Sequence, residues 1–568
     1  MNIPVLVRAM AALVWLCLVV TPAAAAPPDA GQLLREQQPQ RQLPHQFPQL
    51  EAEKERAPLV DSGIKVMVKG IRFSGFEGLA TENELQALVA DVIGSELGFQ
   101  QLQALAARVT AYLKDKGWFL ARAYLPGQAI TSGIIEIAVI QGRSDGSLQI
   151  KPAENVRIST RRLYDMTAAA VAAGAALHEK QLERSILLMN DLPGLSARAS
   201  LAAGSTPGTT AVQVDVSEGP LFSGAVWSDN HGNRHTGTWR GTGMLNVNDP
   251  LRYGDQLSLL LTGAEGLNQG RAAYSFPLFS DGLKGTIAYT GMGYELIGDL
   301  ASLKAGGYSH SVDSAISYPW LRSRVANIQS SLGYQFKIFA DDADGTKVRD
   351  KRIHSGTAAI SGDYYDRFMG GGYSAWNAGV TVGTLQVGIE DVSITGTEGT
   401  YTHFNLGVSR LQRLAERLSI NFSWSTQLSL DNLDSSEKFN LGGPHGVRAY
   451  TVGEGVGDSG HLFNVDLRYD LPFPSRFGLV QLNGFYDAGQ TTMHHSPWQN
   501  SVVTATGKNS YWLQGAGAGV SYVFGRQLNI RGNWARTIGD NPGRSTSGKG
   551  ADGRSDADRF WLQAMILF

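Results

Sequence analysis

Cysteine is all but missing from this 568-residue chain: the single one, Cys17, sits in an apolar run near the N-terminus. Disulfide scaffolds, zinc–thiolate sites and cysteine nucleophiles are thereby excluded from everything downstream. Charge is scarce too, at 18% Asp, Glu, Lys and Arg, against about 25% in ordinary soluble domains. The 49 basic and 51 acidic residues nearly cancel, so nothing argues for nucleic acid as a partner. Past residue 25 no apolar run approaches the ~18 residues of a membrane-spanning helix. Strands stay open as a way across lipid, because ~9–11 alternating residues suffice for each. Nucleotide-binding and metal-site spacings are lacking as well, so neither cofactor nor metal is expected and the chain does not read as an enzyme.

Glycine, by contrast, is abundant, with 67 in 568 residues, against a usual share of ~7%. Arg8, the apolar run 9–20 and an alanine string offering A-x-A cleavage near Ala25 read as a secretory signal over 1–25. Residues 26–38 hold a short helical candidate with an apolar pair, Leu33 and Leu34. It is too short to stand alone in water. Pro39, Pro44, Pro48 and Pro58 mark 39–62 as an extended linker, which at ~3.1 Å per residue spans ~70 Å.

Two α+β modules follow, at 63–143 and 144–219, each with the order β-α-α-β-β. In the first, Thr81 and Glu84 form a capping box, a second helix runs 100–116 to a stop at Gly117, and strands are predicted at 64–73, 118–126 and 134–142. In the second, helices are predicted near 160–173 and 179–190. Their short sheets leave edges to which an extended peptide can add a strand.

From 220 to 568 helical periodicity gives way to alternation. Leu418, Ile420, Phe422, Trp424, Leu428 and Leu430 share one face against Ser419, Asn421, Ser423, Ser425, Gln427 and Ser429. Residues 463–471 and the pair 515–524 and 528–536 repeat the pattern, and the last strand ends on Phe568. An apolar outside around a polar inside is the pattern of a transmembrane barrel. The 348 residues from 221 on suit 16 strands at about 22 residues each, although 14 or 18 also fit.

Several motifs lie in these segments. GWFLARAYLPGQ (117–128) carries Arg122, Pro126 and Gln128; LLMNDLPGL (187–195) carries Asn190, Asp191, Pro193 and Gly194. GGPHGVRAYTVGEGVGDSG (442–460) carries Val447, Arg448 and Tyr450, and FYDAG (485–489) carries Phe485, Asp487 and Gly489. Together, in this order, they resemble the transporters of bacterial two-partner secretion, the hemolysin/adhesin secretion-activation family (TpsB type). The resemblance implies two POTRA-like modules, a plug helix and a 16-stranded outer-membrane pore that a loop near 442–460 enters. Its implied partner is a secreted, large β-helical exoprotein of hemolysin or adhesin type, received unfolded in the periplasm and moved to the surface without nucleotide hydrolysis. Outer-membrane lipid, barrel-assembly machinery and periplasmic chaperones are the further expected partners.

Carried over position by position, Arg448 is the loop arginine and Asp487 its partner on the wall. Alternation supports this independently: Gln481, Asn483 and Asp487 share one face of 479–488, the lumen face, opposite Val480, Leu482 and Tyr486. Ala449 departs from the family's glycine, which leaves the seating of the loop open. The module motifs serve either cargo recognition or structure.

Other matches fail on context. GDSG (457–460) beside His461 lies in the glycine-rich loop rather than in a protease core, GAGAG (515–519) has no following helix, and His494–His495 lacks further ligands at matching spacing. Two other functions remain. An insertase of the same superfamily usually carries more modules, and a passive porin has no need of 195 preceding residues.

Overall fold

A computed structural model describes residues 27–38, 65–128, 132–206, 208–389, 396–473, 478–525 and 527–568. The expected signal segment 1–25 and linker 39–62 lie outside the described residues.

The first module contains β1 (Lys65–Met67), β2 (Gly70–Ser74), β3 (Glu96–Gly98), β4 (Arg122–Tyr124) and β5 (Ile134–Ile140), with two long helices at Glu82–Val89 and Phe99–Asp115. Thr81 and Glu84 close the capping box in both directions, and the Lys116 ammonium, followed by Thr81, holds the Glu84 carboxyl down to about 2. The long expected strand at 64–73 is two strands, because the Val68 carbonyl bonds the Gly94 amide instead of continuing the ladder. The expected strand at 118–126 shrinks to β4. Trp118 turns into the core and its indole donates to the Leu79 carbonyl, so 118–121 forms a turn.

The second module packs two helices, Thr160–Thr167 and Glu179–Asn190, on a sheet ordered β6 (Arg143–Pro152), β8 (Thr209–Glu218), β7 (Leu195–Ala203). Each module has its own apolar core, centred on Leu85, Val109 and Ile135 in one and on Leu163, Met189 and Val212 in the other.

Sixteen antiparallel strands, β9 (Phe222–Asp229) to β24 (Asp558–Leu567), close into a barrel. The second module sits against its short turns, which makes that rim the periplasmic one. Asp191 takes a two-pronged bond from Arg322 at 2.8 and 2.7 Å, and the Arg184 guanidinium donates to the Pro319 carbonyl at 2.6 Å. A cavity of about 420 Å³ remains in this joint, lined by Met166, Leu188, Phe279 and Pro319 among others.

Alternation sets the two faces. Leu261, Ile287, Leu332 and Phe560 stand exposed outside, where lipid covers them, while Thr262, Lys337, Gln427 and Asp487 are buried within. Strands β14 (Ala305–Arg322), β15 (Ala326–Ala343), β16 (Thr346–Asp366) and β17 (Gly372–Ile389) run 18–21 residues, twice the ~9–11 that a bilayer needs. Their outer ends wall in a short helix, Ala30–Glu36. The seam is the thinnest ladder: β24 meets β9 over five residue pairs, extended by mutual backbone bonds between Gly224 and Phe568 at 2.9 and 3.0 Å.

Candidate functional site: the occupied lumen

Two elements far apart in sequence occupy the barrel. The first is a seven-residue helix, α1 (Ala30–Glu36), too short to persist in water by itself. Its N-cap, Asp29, accepts from the Gln32 amide at 2.8 Å. The other Asp29 oxygen takes the Ser435 hydroxyl at 2.8 Å and Arg349 at 3.3 Å. The Ala30 amide donates to Asp341, which also holds the Tyr294 hydroxyl. Leu33 and Leu34 are buried among Leu267, Met292, Phe339, Ile353, Tyr401 and Leu433, an apolar patch on an otherwise polar wall. Gly31 lets the helix press against the loop: a Cβ there would lie 2.5 Å from the Ser435 hydroxyl.

Around the helix sits a belt of buried ion pairs. Lys337 bonds Glu437 and Lys351 bonds Asp434, each at 2.7 Å, while His403 reaches Glu437 at 3.3 Å. Side chains buried this completely hold their charge only as pairs. The belt therefore ties strands β15, β16 and β18 (Gly399–Arg413) to the loop that carries Asp434 and Glu437.

That loop, between β19 (Leu418–Ser429) and β20 (Ser459–Asp470), is the second element. It folds back on itself through Val447 N–H to the Leu441 carbonyl at 2.8 Å and Gly443 N–H to the Tyr450 carbonyl at 3.1 Å. This places Arg448 against β21 (Leu479–Thr492). The Arg448 backbone amide and Nε donate to Asp487 Oδ2 at 3.0 and 2.9 Å, and Nη2 donates to Oδ1 at 2.7 Å. Nη1 bonds Asp466 at 2.8 Å, and the guanidinium lies 3.5 Å from the centre of the Phe485 ring. Asn464 bridges Asp487 and the Gly446 carbonyl, and the Trp561 indole donates to the Arg448 carbonyl at 2.7 Å. The Asp487 side chain is fully enclosed and that of Arg448 is 10% exposed. Charge-assisted bonds in such a setting are worth roughly 1.5–3 kcal/mol each.

The neighbouring motif residues pack the same contact. Val447, Tyr450 and Phe485 are buried with Leu441 and Leu513. Gly489 is required by steric approach, since a Cβ there would stand 2.2 Å from Leu441 Cδ1. Ala449 has a negative φ, and its methyl fits where Gly515 lacks a side chain, 2.4 Å from the point a Cβ would occupy. The alanine is thus accommodated by the first glycine of the GAGAG run on β22 (Ser510–Phe524). Asp466, Asn464 and Trp561 complete the contact although no motif marks them. The alternation of 463–471 had already set Asn464 and Asp466 on the polar face, but their meeting with a distant loop depends on ladder register.

The module motifs lie elsewhere. Gln128 pairs its side-chain amide with both backbone groups of Glu136, at 2.8 and 2.7 Å, and Asn190 does the same with Ala197, at 3.1 and 2.6 Å. Each mimics a strand at a module edge. Arg122 is exposed and Pro126 half-buried, while Pro193 and Gly194 (φ +73°) form the turn after Asp191. In the GDSG string, Asp458 accepts from Leu433 N–H at 3.1 Å and His495 N–H at 2.8 Å and pairs with Lys438, which makes it a knot of the loop. Among the described residues no group of three or more metal-ligating side chains converges.

Comparison with known proteins agrees with this architecture. The family described as haemolysin secretion/activation protein ShlB/FhaC/HecB matches residues 208–522, and the POTRA domain, ShlB-type, matches 66–142. The heme/hemopexin transporter protein HuxB of Haemophilus influenzae (strain 86-028NP) is 26% identical over 495 residues, covering 86% of this chain and 84% of that protein. The outer membrane transporter CdiB of Escherichia coli O6:K15:H31 (strain 536 / UPEC) is 25% identical over 554 residues, 91% of this chain and 89% of the other. In solved structures, CdiB from Escherichia coli superposes with a TM-score of 0.71 at 20% identity, covering 95% of this chain and 96% of that one. BamA from Haemophilus ducreyi, lacking POTRA domains 1–3, reaches 0.51 at 13%, covering 88% and 100%, a likeness of fold alone.

Proposed function

Because this chain belongs to the haemolysin secretion/activation protein family, the outer-membrane transporters of two-partner secretion, we propose that it captures one unfolded exoprotein in the periplasm and conducts it through the barrel. The carrying observation is a polar lumen held shut by separable parts: a seven-residue helix and one inserted loop, both docked without covalent bonds. Residues 1–25 serve as export signal, and 39–62 as a tether long enough for α1 to leave and return. The two modules offer strand edges at the periplasmic mouth, where an extended cargo can add a strand. Arg448 and Asp487 hold the loop in its transport-competent seat. Passage needs no nucleotide from this chain, since cargo that folds outside cannot re-enter.

The test is co-expression with a large signal-bearing exoprotein, sought in the reading frame beside this gene. The exoprotein is expected outside the cell with the full chain and retained without residues 65–219. Export that persists without the chain contradicts the reading. A general loss of other outer-membrane barrels when the chain is deleted would favour an insertase instead.

A further inference from the structure

The Arg448 contact leaves two guanidinium groups on the same wall unexplained. Arg468 lies on β20, two residues past Asp466 toward the periplasm, and Arg531 lies on β23 (Leu528–Thr537) near its periplasmic end. Both line one hollow of about 180 Å³ inside the barrel. Among the described residues, neither makes an ion pair or a side-chain hydrogen bond.

A glycine sits in the row of residues beside this hollow. Ladder register sets Arg468, Asn483, Gly519 and Asn533 in one row across four strands. A Cβ at Gly519 would lie 2.1 Å from Asn533 Oδ1 and 2.7 Å from Asn483 Oδ1. Both amide side chains therefore lean over bare backbone at the edge of the hollow. Gln563 stands opposite Arg531 in the next strand pair. The amides of Asn483, Asn533 and Gln563 also lack hydrogen-bond partners among the described residues.

The carboxylates nearby are engaged already. Asp466 and Asp487 are held by Arg448, and Asp470 accepts from Gln481 at 2.7 Å. None of these three carboxylates bonds Arg468 or Arg531, so both guanidinium groups face the hollow without a direct counter-ion. Two like charges lining one hollow repel each other, a cost that a bound anion offsets. Guanidinium groups and amide N–H₂ groups are the donors that recognise a planar carboxylate.

We propose that Arg468 and Arg531, with the amides of Asn483, Asn533 and Gln563, form a binding site for one carboxylate group. Resting on the transport reading, the carboxylate in use belongs to acidic side chains of the passing polypeptide. The site lies on the periplasmic side of the Arg448 contact, where cargo arrives first.

The experiment titrates acetate, and separately inorganic phosphate, into the purified full-length chain in detergent at low salt, by calorimetry and by the fluorescence of Trp561, which lines the same hollow. Saturable binding of one acetate per chain is expected, weakened at least tenfold in R468Q/R531Q and less in R531Q alone. Each protein is first shown to keep the unboiled-gel mobility of a closed barrel; if the double variant fails this, R531Q decides. No saturable acetate binding, equal affinity in the variants, or binding of phosphate alone would overturn the proposal. Because no exoprotein is present, failure here leaves the transport reading standing, and a failed secretion assay leaves this result intact.

Discussion

At the scale of the residue, Arg448 sets the stakes. Removing it strands Asp487 and Asp466 in an enclosed wall, a change that costs about 3–5 kcal/mol. R448A is therefore expected to lower the temperature at which the unboiled barrel loses its compact gel mobility, and to abolish export. R448K restores a charge without the fork that engages both Asp487 oxygens, so it should recover only part of each readout. Unchanged melting and unchanged export in R448A would dismiss the contact as incidental. Gly489→Val offers a second check without altering charge, since its side chain would displace Leu441 from the buried cluster. Loss of the loop's protease resistance is the expected result. The lumen face of Asp487 was legible from alternation alone. Asp466 was legible as a polar-face residue but not as a partner, because nothing local ties residue 466 to residue 448.

At the scale of the element, α1 depends on its surroundings for existence. Asp29 caps it and joins it to Ser435 and Arg349 at once. Losing such a cap and its hydrogen bonds costs about 1–2 kcal/mol, enough to raise the undocked population roughly tenfold. With a cysteine at Leu33 as reporter, D29A should speed maleimide labelling by that factor; equal rates would show that the cap does not hold the helix. Module 1 carries a pH-dependent counterpart. Its Glu84 carboxyl, shifted from 4.5 to about 2 by Lys116 and Thr81, contributes fully above pH 4.5 and loses its contribution as pH falls toward 2. Protease cleavage within the module should accelerate over that window in the full chain but not in E84Q. The helix, its apolar pair and the capping box were readable from spacing. The split of 64–73 and the turn at 118–121 were not, because a Val68 carbonyl and a Trp118 ring turn toward neighbours that are distant in sequence.

At the scale of the whole molecule, closure is the organising fact: sixteen strands leave no unpaired edge in lipid. The apolar face of the last strand announced this in the sequence, and the expected sixteen strands followed from the family resemblance, since chain-length arithmetic alone also allowed 14 or 18. Removing Phe568 deletes two backbone bonds at a seam only five pairs long, and less folded barrel should accumulate in the membrane fraction. Cargo is expected to travel inside this cylinder, and the absence of cysteine after residue 17 makes its path directly measurable. Single cysteines at Asn483, which lines the lumen, and at its neighbour Leu482, which faces outward, can be challenged with an exoprotein stalled in transit and carrying one cysteine of its own. Disulfide trapping through position 483 and not 482 is the predicted result. Trapping at 482 alone, or at neither while export proceeds, would contradict it.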